Sequence, residues 1–468
     1  MHKLIQFKYL YIIYLLLFTS CTTYYEVNRE FNAAFERGNL EEAAAIMAKN
    51  KKAAKGKARF LYLANRGVVL SMLGNYEESN QYLEEAYIFT EDYQVNYLNE
   101  AAALLTNPNA VVYKGEDHER LLLLYYKAIN YLQMGKYDEA LVECKRLNIR
   151  LQQLSDKYKS DKKYDEDAFI HVLMGIIYEA QRDYNNAFIA YRNALDIYRN
   201  DYQAMFQVSV PDQLKEDILR TAYLTGFNEE YNQYKREFGM EDYAYKANEG
   251  TLVFFWNNGL GPYKSEWSIN FAVVEGQGGV FNFTNEEYGF TFPFSVPVSE
   301  EENRSSLSDL EVFRVAFPKY VERDKFYNSA SLYIDGDNYN LDLAEDVNAL
   351  AFKTLRQRML LEFGRSLLRV ALKKAAEKQI EKESEGIAVA VSFLNALTEK
   401  ADTRNWQTLP HSIHYTRVPL KEGQNEVKLK LQSPYNNGTE ERVFNYDINS
   451  GETVFQPFYS LEYKHKIN

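Results

Sequence analysis

The chain contains, at residues 169–194, the stretch that decides its N-terminal fold: Phe169-Ile-His-Val-Leu-Met-Gly175-Ile-Ile-Tyr178-Glu-Ala-Gln-Arg-Asp-Tyr184-Asn-Asn-Ala187-Phe-Ile-Ala-Tyr191-Arg-Asn-Ala194. Gly175 is small enough to let two consecutive helices approach closely, and Ala187 and Ala194 keep the second helix thin where it meets its neighbours. Arg182-Asp separates the two halves as a turn. The pattern therefore predicts a pair of packed helices.

The same spacing of small and large residues recurs upstream. The stretch from Leu124 to Ala140 repeats it, with Ala128 as the small residue and Gly135-Lys in the turn. A third copy has Gly67, Leu70, Ser79, Leu83 and Ala86 at the offsets of Gly175, Tyr178, Ala187, Tyr191 and Ala194. A weaker first copy carries Gly38-Asn-Leu40 and Ala43. These repeats resemble the tetratricopeptide repeat.

That resemblance implies an N-terminal α-solenoid of helical hairpins over residues 31–245, with a curved groove that binds a peptide or a neighbouring protein. The segment from Pro211 to Gly239 is interpreted as a degenerate closing hairpin, and insertions are expected after about residues 90 and 148. An unrelated helical bundle is the alternative. Tyr178 and Tyr191 fall on packing positions, so we expect both to be core residues.

The hydrophobic period changes after residue 250. Short alternating runs at 251–256, 267–273, 279–283 and 288–293, and a second group from about Ile413 to Leu461, predict β-strands. Between the two groups, apolar residues at spacings of three and four predict a helical insertion at about 347–400. Residues 250–468 are therefore predicted to form a β-rich domain with an inserted helical hairpin, and the whole chain a multidomain α+β protein.

The N-terminus combines a basic start, an apolar run from Tyr9 to Phe18 and a small-residue junction before Cys21. This arrangement is typical of a secretory signal and is too short to span a bilayer. Leu17-Phe-Thr-Ser-Cys21 resembles the lipobox of bacterial lipoproteins, which implies a signal peptide at 1–20, lipid attachment at Cys21 and a tether at 21–30. An ordinary secreted protein is the alternative. Because Thr22 is not aspartate, the resemblance points to the outer membrane. No acidic surface-export cluster follows at Thr23, Tyr24 and Tyr25, which favours the periplasmic face.

Charge and residue content exclude several kinds of site. The net charge of −12 argues against a nucleic-acid partner. The clearest basic strip (Arg356, Arg358, Arg365, Arg369, Lys373 and Lys374) is interpreted as the solvent face of a helix. His411 and His414 lie three apart in a predicted strand and so point to opposite faces, and no metal or cofactor is expected. Cys144 is predicted to be a small core residue.

Two motifs stand out in the C-terminal region. Asn257-Asn-Gly-Leu-Gly-Pro-Tyr-Lys264 closes the first strand, and the segment from Glu399 to Pro410 joins the helical insertion to the returning sheet. Asp402 and Arg404 are predicted to pair with each other or with backbone, beside a Trp406 that fills the core. With the lipobox and the repeats, these motifs resemble a family of uncharacterised bacterial tetratricopeptide-repeat outer-membrane lipoproteins.

We expect from these features a lipid-anchored envelope scaffold or adaptor. Its groove would bind an envelope protein or peptide, for instance in cell-wall synthesis or outer-membrane assembly. The alternative is a glycan-binding lipoprotein of a polysaccharide uptake system, since starch-utilisation lipoproteins also combine a lipid anchor with such hairpins. The 39 tyrosines favour this alternative and the paucity of tryptophan, with 3 residues, counts against it. No catalytic constellation is recognised, so we expect no enzymatic activity.

Overall fold

The computed structural model describes residues 24, 28–50, 52–92, 111–157, 166–247, 249–275, 280–285, 290–295, 312–356, 358, 401–435 and 438–464. The predicted signal peptide at 1–20, Cys21, most of the tether at 21–30 and residues 359–400 of the predicted helical insertion lie outside the described residues.

The N-terminal region is helical. The part of it that the structure describes holds eleven α-helices: α1 (Arg29–Glu36), α2 (Leu40–Lys49), α3 (Arg59–Met72), α4 (Tyr76–Asp92), α5 (Asp117–Gln133), α6 (Tyr137–Lys157), α7 (Ala168–Ala180), α8 (Tyr184–Ile197), α9 (Gln203–Phe206), α10 (Asp212–Thr225) and α11 (Asn228–Phe238). Successive helices pack on one another as hairpins. The predicted closing hairpin corresponds to α10 and α11.

Four hairpin turns share one backbone geometry. Each has three residues, and the middle residue has a positive φ: 72° at Gly38, 78° at Gly74, 68° at Gly135 and 62° at Arg182. The next residue then donates its N–H to a carbonyl five positions earlier, at distances of 2.8–2.9 Å. This closure satisfies carbonyls that the ending helix leaves free. The turns lie where the sequence placed them.

Small residues allow the two helices of a hairpin to pack closely, as predicted. A Cβ atom at Gly67 would lie 2.5 Å from the side chain of Leu83, and one at Gly175 would lie 2.4 Å from the ring of Tyr191. Both partners are sixteen residues downstream and fully buried. Cys144 has the same offset from Ala128 and is buried as a free cysteine.

The C-terminal region contains the strands β1 (Gly250–Asn258), β2 (Tyr263–Glu275), β3 (Val280–Asn285), β4 (Phe290–Ser295), β5 (Val312–Val321), β6 (Asp324–Lys325), β7 (Ser329–Ile334), β8 (Asp337–Asn340), β9 (Asp342–Glu345), β10 (Ser412–Leu420), β11 (Gly423–Gln432), β12 (Thr439–Ile448), β13 (Thr453–Ser460) and β14 (Tyr463–Lys464). They form sheets of order β13-β1-β10-β9, β12-β11-β7-β8, β4-β3-β2-β5 and β14-β6. The β1–β13 pair is parallel and the other described pairs are antiparallel.

The sheet β13-β1-β10-β9, called here the middle sheet, lies between the helices and a second sheet. Because successive side chains of a strand point to opposite faces, β1 divides its residues between two cores. Leu252, Phe254 and Trp256 pack with residues of β7, β11 and β12. Val253 and Phe255 pack with the helices. One hydrophobic core is therefore shared by the helical and the β-rich regions.

Strands β5 to β9, between residues 312 and 345, were not predicted. Residues 347–356 are helical, in agreement with the start of the predicted insertion. The fold is α+β, with helical hairpins followed by mixed sheets. None of the helices in the described part of the chain has both the length and the apolar character needed to cross a membrane.

Candidate functional site

The two motifs singled out in the sequence contact each other. The Asn405 side chain donates to the Pro262 carbonyl at 2.9 Å and accepts the Lys264 backbone N–H at 3.1 Å. Nearby, the Gly261 N–H donates to the Leu409 carbonyl at 2.8 Å. The loop after β1 and the segment before β10 therefore form one unit, called here the junction (residues 257–264 and 401–411).

Arg323, which follows β5, ties the two halves of the junction together. Its buried guanidinium donates to the Gly261 carbonyl and to the Gln407 carbonyl, both at 2.6 Å. Sequence reasoning missed this residue because no local pattern marks an arginine that bonds to two distant backbone carbonyls. Only the pairing of β5 with β2 brings it here.

Two carboxylates at the start of α5 connect the junction to the helices. Glu119 is fully buried and accepts three hydrogen bonds, from the Trp406 N–H at 2.6 Å, the Tyr113 hydroxyl at 2.8 Å and the Glu116 N–H at 2.9 Å. Glu116 forms ion pairs with Lys264 and with Arg358. Arg358 is only partly exposed, so the interpretation of the basic strip as a solvent face is wrong at this position.

The ionisation of these buried groups follows from their neighbours. Burial would raise the pKa of Glu116, but the cationic Arg358 and Lys264 bring it well below its usual value. Burial and the negative charge of Glu116 raise the pKa of Glu119 to about 7. Burial lowers the pKa of His118 to about 4, and its ring lies 3.1 Å from the Thr354 hydroxyl. The start of α5 therefore presents to the junction one ionised carboxylate, Glu116, and one carboxyl with a pKa near neutrality, Glu119.

The structural roles predicted for Asp402, Arg404 and Trp406 are those observed. Arg404 forms two parallel hydrogen bonds to Asp402, at 2.7 and 2.8 Å, and donates to the Val111 carbonyl at 3.0 Å. Trp406 is fully buried, with its ring 6.3 Å from that of Phe60 on α3. These residues attach the junction to the helical region.

A second buried ionic network joins α7 and α10 to β10. Glu179 accepts hydrogen bonds from Arg220 at 2.7 Å, from Arg417 at 3.0 Å and from the Tyr191 hydroxyl at 3.0 Å. Asp217, which is fully buried, lies between the same two arginines. Burial would raise the pKa of Glu179, but the two guanidinium groups lower it to about 2. Two acids and two arginines thus balance each other inside the molecule.

The inner face of the hairpins is covered by the chain itself. Helix α5 is buried on every side over most of its length. Phe169 on α7 packs against Phe255 on β1, and Asn65 on α3 accepts a hydrogen bond from Thr408 at 2.9 Å. The expectation of an open groove along these first helices is therefore corrected, because the middle sheet and the junction occupy that space.

The remaining residues singled out in the sequence are placed as follows. His411 contacts Glu322 at 3.1 Å. His414 packs at a tilt against Trp256, with ring centroids 4.7 Å apart, and lies 3.1 Å from the Ser412 hydroxyl, so the two histidines have different partners. Burial raises the pKa of the Cys144 thiol well above its usual value. Within the described ranges, no group of three or more His, Cys, Asp or Glu side chains is placed to hold a metal ion. Cys21, the predicted lipid site, lies outside them.

A polar cavity of about 420 Å³ opens on the sheet β12-β11-β7-β8, called here the outer sheet. It lies between the turn joining β7 to β8 and the start of β11. Nine of the described residues line it: Tyr333, Ile334, Asp335, Gly336, Lys421, Gln424, Asn425, Glu426 and Lys428. Its size falls within the usual range of small-molecule sites.

Comparison with known proteins adds little to this description. No protein-family model matches the chain, and no curated protein matches it. The crystal structure of BtubC (BKLC) from P. vanneervenii is similar over 46% of this chain and 80% of that chain, at 14% sequence identity and a TM-score of 0.31. A similarity of this size supports no argument about fold or function.

Proposed function

We propose that the protein is a lipid-anchored envelope scaffold that binds a partner protein through its tetratricopeptide-like hairpins and has no catalytic activity of its own. The anchor is the lipid on Cys21, and the location is the outer membrane, facing the periplasm. The α-solenoid interpretation is supported by the four equivalent turns and by the close packing of Gly67 and Gly175 on their partners. The partner is an envelope protein of cell-wall synthesis or outer-membrane assembly.

The observation that carries this proposal is a set of exposed aliphatic side chains on the second helices of the hairpins. Val142 on α6 and Ile189 on α8 occupy the same repeat offset, and they are 52% and 38% exposed. Ile88 on α4 and Ile149 on α6 share another offset, and they are 45% and 57% exposed. The proposal takes the recurrence of these exposed apolar side chains at equivalent repeat positions as the mark of a protein-binding surface. Because the middle sheet and the junction cover the inner face of the hairpins, the proposal places the partner on the exposed surface of α4, α6 and α8.

The test uses crosslinking of the full chain in its host cells, followed by mass spectrometry. Val142→Glu and Ile149→Glu should remove the crosslinked partner. The matched control is Val443→Glu, because Val443 is 50% exposed and lies on β12 of the outer sheet instead of on a helix. A partner that survives both helix substitutions contradicts the proposed surface. The absence of any crosslinked protein from the wild-type chain contradicts the scaffold function.

A glycan-binding lipoprotein of a polysaccharide uptake system is the second candidate. The polar cavity on the outer sheet favours it, since saccharide hydroxyls need closely spaced donors and acceptors. Affinity electrophoresis of the full chain through native gels containing soluble starch, dextran or arabinoxylan tests this function. Retarded migration supports it, and equal mobility in all the gels contradicts it.

A further inference from the structure

The charges around the polar cavity cancel. Lys421 pairs with Asp335, and Lys428 lies 3.4 Å from Glu426. Among the described residues of the lining, two lysines and two acids leave no net formal charge. A phosphate or carboxylate ligand would need a surplus of cationic groups, which the lining does not supply. The nearby Lys430 ammonium lies over the Tyr333 ring, 4.2 Å from its centroid, and is engaged there. The cavity therefore fits a neutral ligand.

The lining is also unsuited to an apolar ligand. Ile334 is the one large aliphatic side chain among the described residues of the lining, and it is only 8% exposed because it belongs to the core between the two sheets. Apolar ligands bind in pockets that are lined mainly by hydrophobic and aromatic side chains. The neutral ligand must therefore be polar.

Two polar side chains of the lining are available to a ligand. The Tyr333 hydroxyl and the exposed Gln424 amide make no hydrogen bond within the described part of the chain. The neighbouring Asn425 differs, because its buried amide donates to the Lys421 and Gly423 carbonyls at 2.8 and 2.9 Å. These bonds hold the backbone beside Gln424 in place, so the Gln424 amide is attached to a rigid part of the cavity lining.

The geometry points to a saccharide-binding site in this cavity, formed by Tyr333 and Gln424 and selective for neutral sugars. This inference rests on the second candidate function, and it adds the location and the charge class of the ligand. Sugar hydroxyls both donate and accept hydrogen bonds, as do the tyrosine hydroxyl and the glutamine amide. The lysine and carboxylate pairs supply further donors and acceptors without net charge.

The test is titration calorimetry on the full chain, purified in detergent. The probes are maltohexaose, xylohexaose and chitohexaose, with acidic polygalacturonate for comparison. We expect at least one neutral hexasaccharide to bind and polygalacturonate not to bind. Tyr333→Phe and Gln424→Ala should each weaken the binding by about 3- to 10-fold, which is the usual net effect of one hydrogen bond.

Gln432→Ala is the matched control, because Gln432 is also an exposed glutamine of β11 but does not line the cavity. It should leave the affinity unchanged. A hexasaccharide that binds both cavity variants as tightly as the wild-type chain overturns the site and leaves glycan binding standing. Failure of all the neutral hexasaccharides to bind the wild-type chain overturns both the saccharide site and the glycan-binding function. Thermal melting of each variant, expected to match the wild-type chain, excludes loss of the fold.

Discussion

The carboxylate of Glu119 accepts the backbone N–H of Trp406 at 2.6 Å, although 287 residues separate the two in the sequence. This bond joins the first turn of α5 to the segment before β10. Because Glu119 is fully buried and Glu116 lies beside it, its ionisation costs free energy in the folded state. We therefore expect the contact between α5 and the junction to depend on pH.

Glu119 should make stability fall as the pH rises between about 4.5 and 7. A carboxyl whose pKa is higher in the folded state holds its proton there after the unfolded chain has released it. Stability from this group is therefore greatest below the ordinary pKa and is lost as the pH approaches 7. Relative to Glu119→Gln, which does not titrate, the wild-type free energy of unfolding should fall by at most about 3 kcal/mol across this interval.

Urea denaturation of both proteins between pH 4 and pH 8 measures this difference. The comparison with Glu119→Gln is needed because His118 changes the stability with pH in the opposite direction. Its pKa is lowered, so the stability linked to its neutral form is lost as the pH falls from 6.5 towards 4. Both proteins retain His118, and its contribution cancels in the difference. A difference that does not change with pH would show that Glu119 keeps one protonation state throughout.

Removal of Arg417 should destabilise the protein strongly. Arg417→Met would leave Glu179 and Asp217 buried with Arg220 as the one remaining arginine of the network. An uncompensated buried charge costs about 3–5 kcal/mol. The matched control is Arg236→Met on the exposed side of α11, which should change the free energy of unfolding by less than about 0.5 kcal/mol. Equal denaturation midpoints for the two variants would contradict a structural role for the network.

The helical region was predictable because its signals are local. The spacing that links Gly175 to Tyr191 recurs at Gly67 and Leu83, and the turns at Gly74 and Gly135 mark the helix ends. The roles of Asp402 and Arg404 were also within reach, since the two residues are close in sequence and form a complementary pair. The features that could be predicted were thus those that repeat along the chain or that join residues close in sequence.

The packing of the two regions was not predictable in the same way. The parallel pairing of β1 with β13 joins residues about two hundred positions apart, and no periodicity encodes that choice. It places the middle sheet against the first helices and so fills the expected groove. The β7–β8 hairpin had a usable signal in Asp335-Gly336, a dipeptide favoured in tight turns, between two alternating runs. Arg323 had no such signal.

The close contact of Gly67 with Leu83 allows a test by repeat substitution. Gly67→Ala should cost about 1–3 kcal/mol, because the added methyl would lie 2.5 Å from Leu83. The repeat that begins at Leu124 has Ala128 opposite Cys144, so Leu83→Cys should relieve the clash in the double variant. We expect a favourable coupling of at least about 1 kcal/mol in a double-mutant cycle measured by urea denaturation. If the free-energy changes of the two single variants simply add in the double variant, the helices move apart to accommodate the methyl group.

Arg182 occupies the left-handed turn position that is glycine in the other three turns. Gly135→Ala should cost about 0.5–1 kcal/mol, because it introduces a Cβ atom at positive φ and no neighbour lies within 4 Å to compensate. Arg182→Ala should change stability by less than about 0.5 kcal/mol, since a side chain is already present in this conformation. Thermal melting of the two variants compares the positions directly. A larger loss at position 182 would show that the arginine side chain itself stabilises the turn.

Membrane attachment should depend on Cys21 and not on Cys144. Each buried methylene of an acyl chain contributes about 0.8 kcal/mol, so a residue bearing more than one chain is held stably. Cys21→Ser removes the attachment point, and the protein should move from the membrane pellet to the supernatant after centrifugation of cell lysates. Cys144→Ser is the matched control, because this thiol is buried in α6 and cannot carry a lipid in the folded protein. It should remain in the pellet. Sedimentation of the Cys21→Ser chain with membranes would mean that another part of the molecule, such as its exposed aliphatic residues on α4, α6 and α8, binds the envelope.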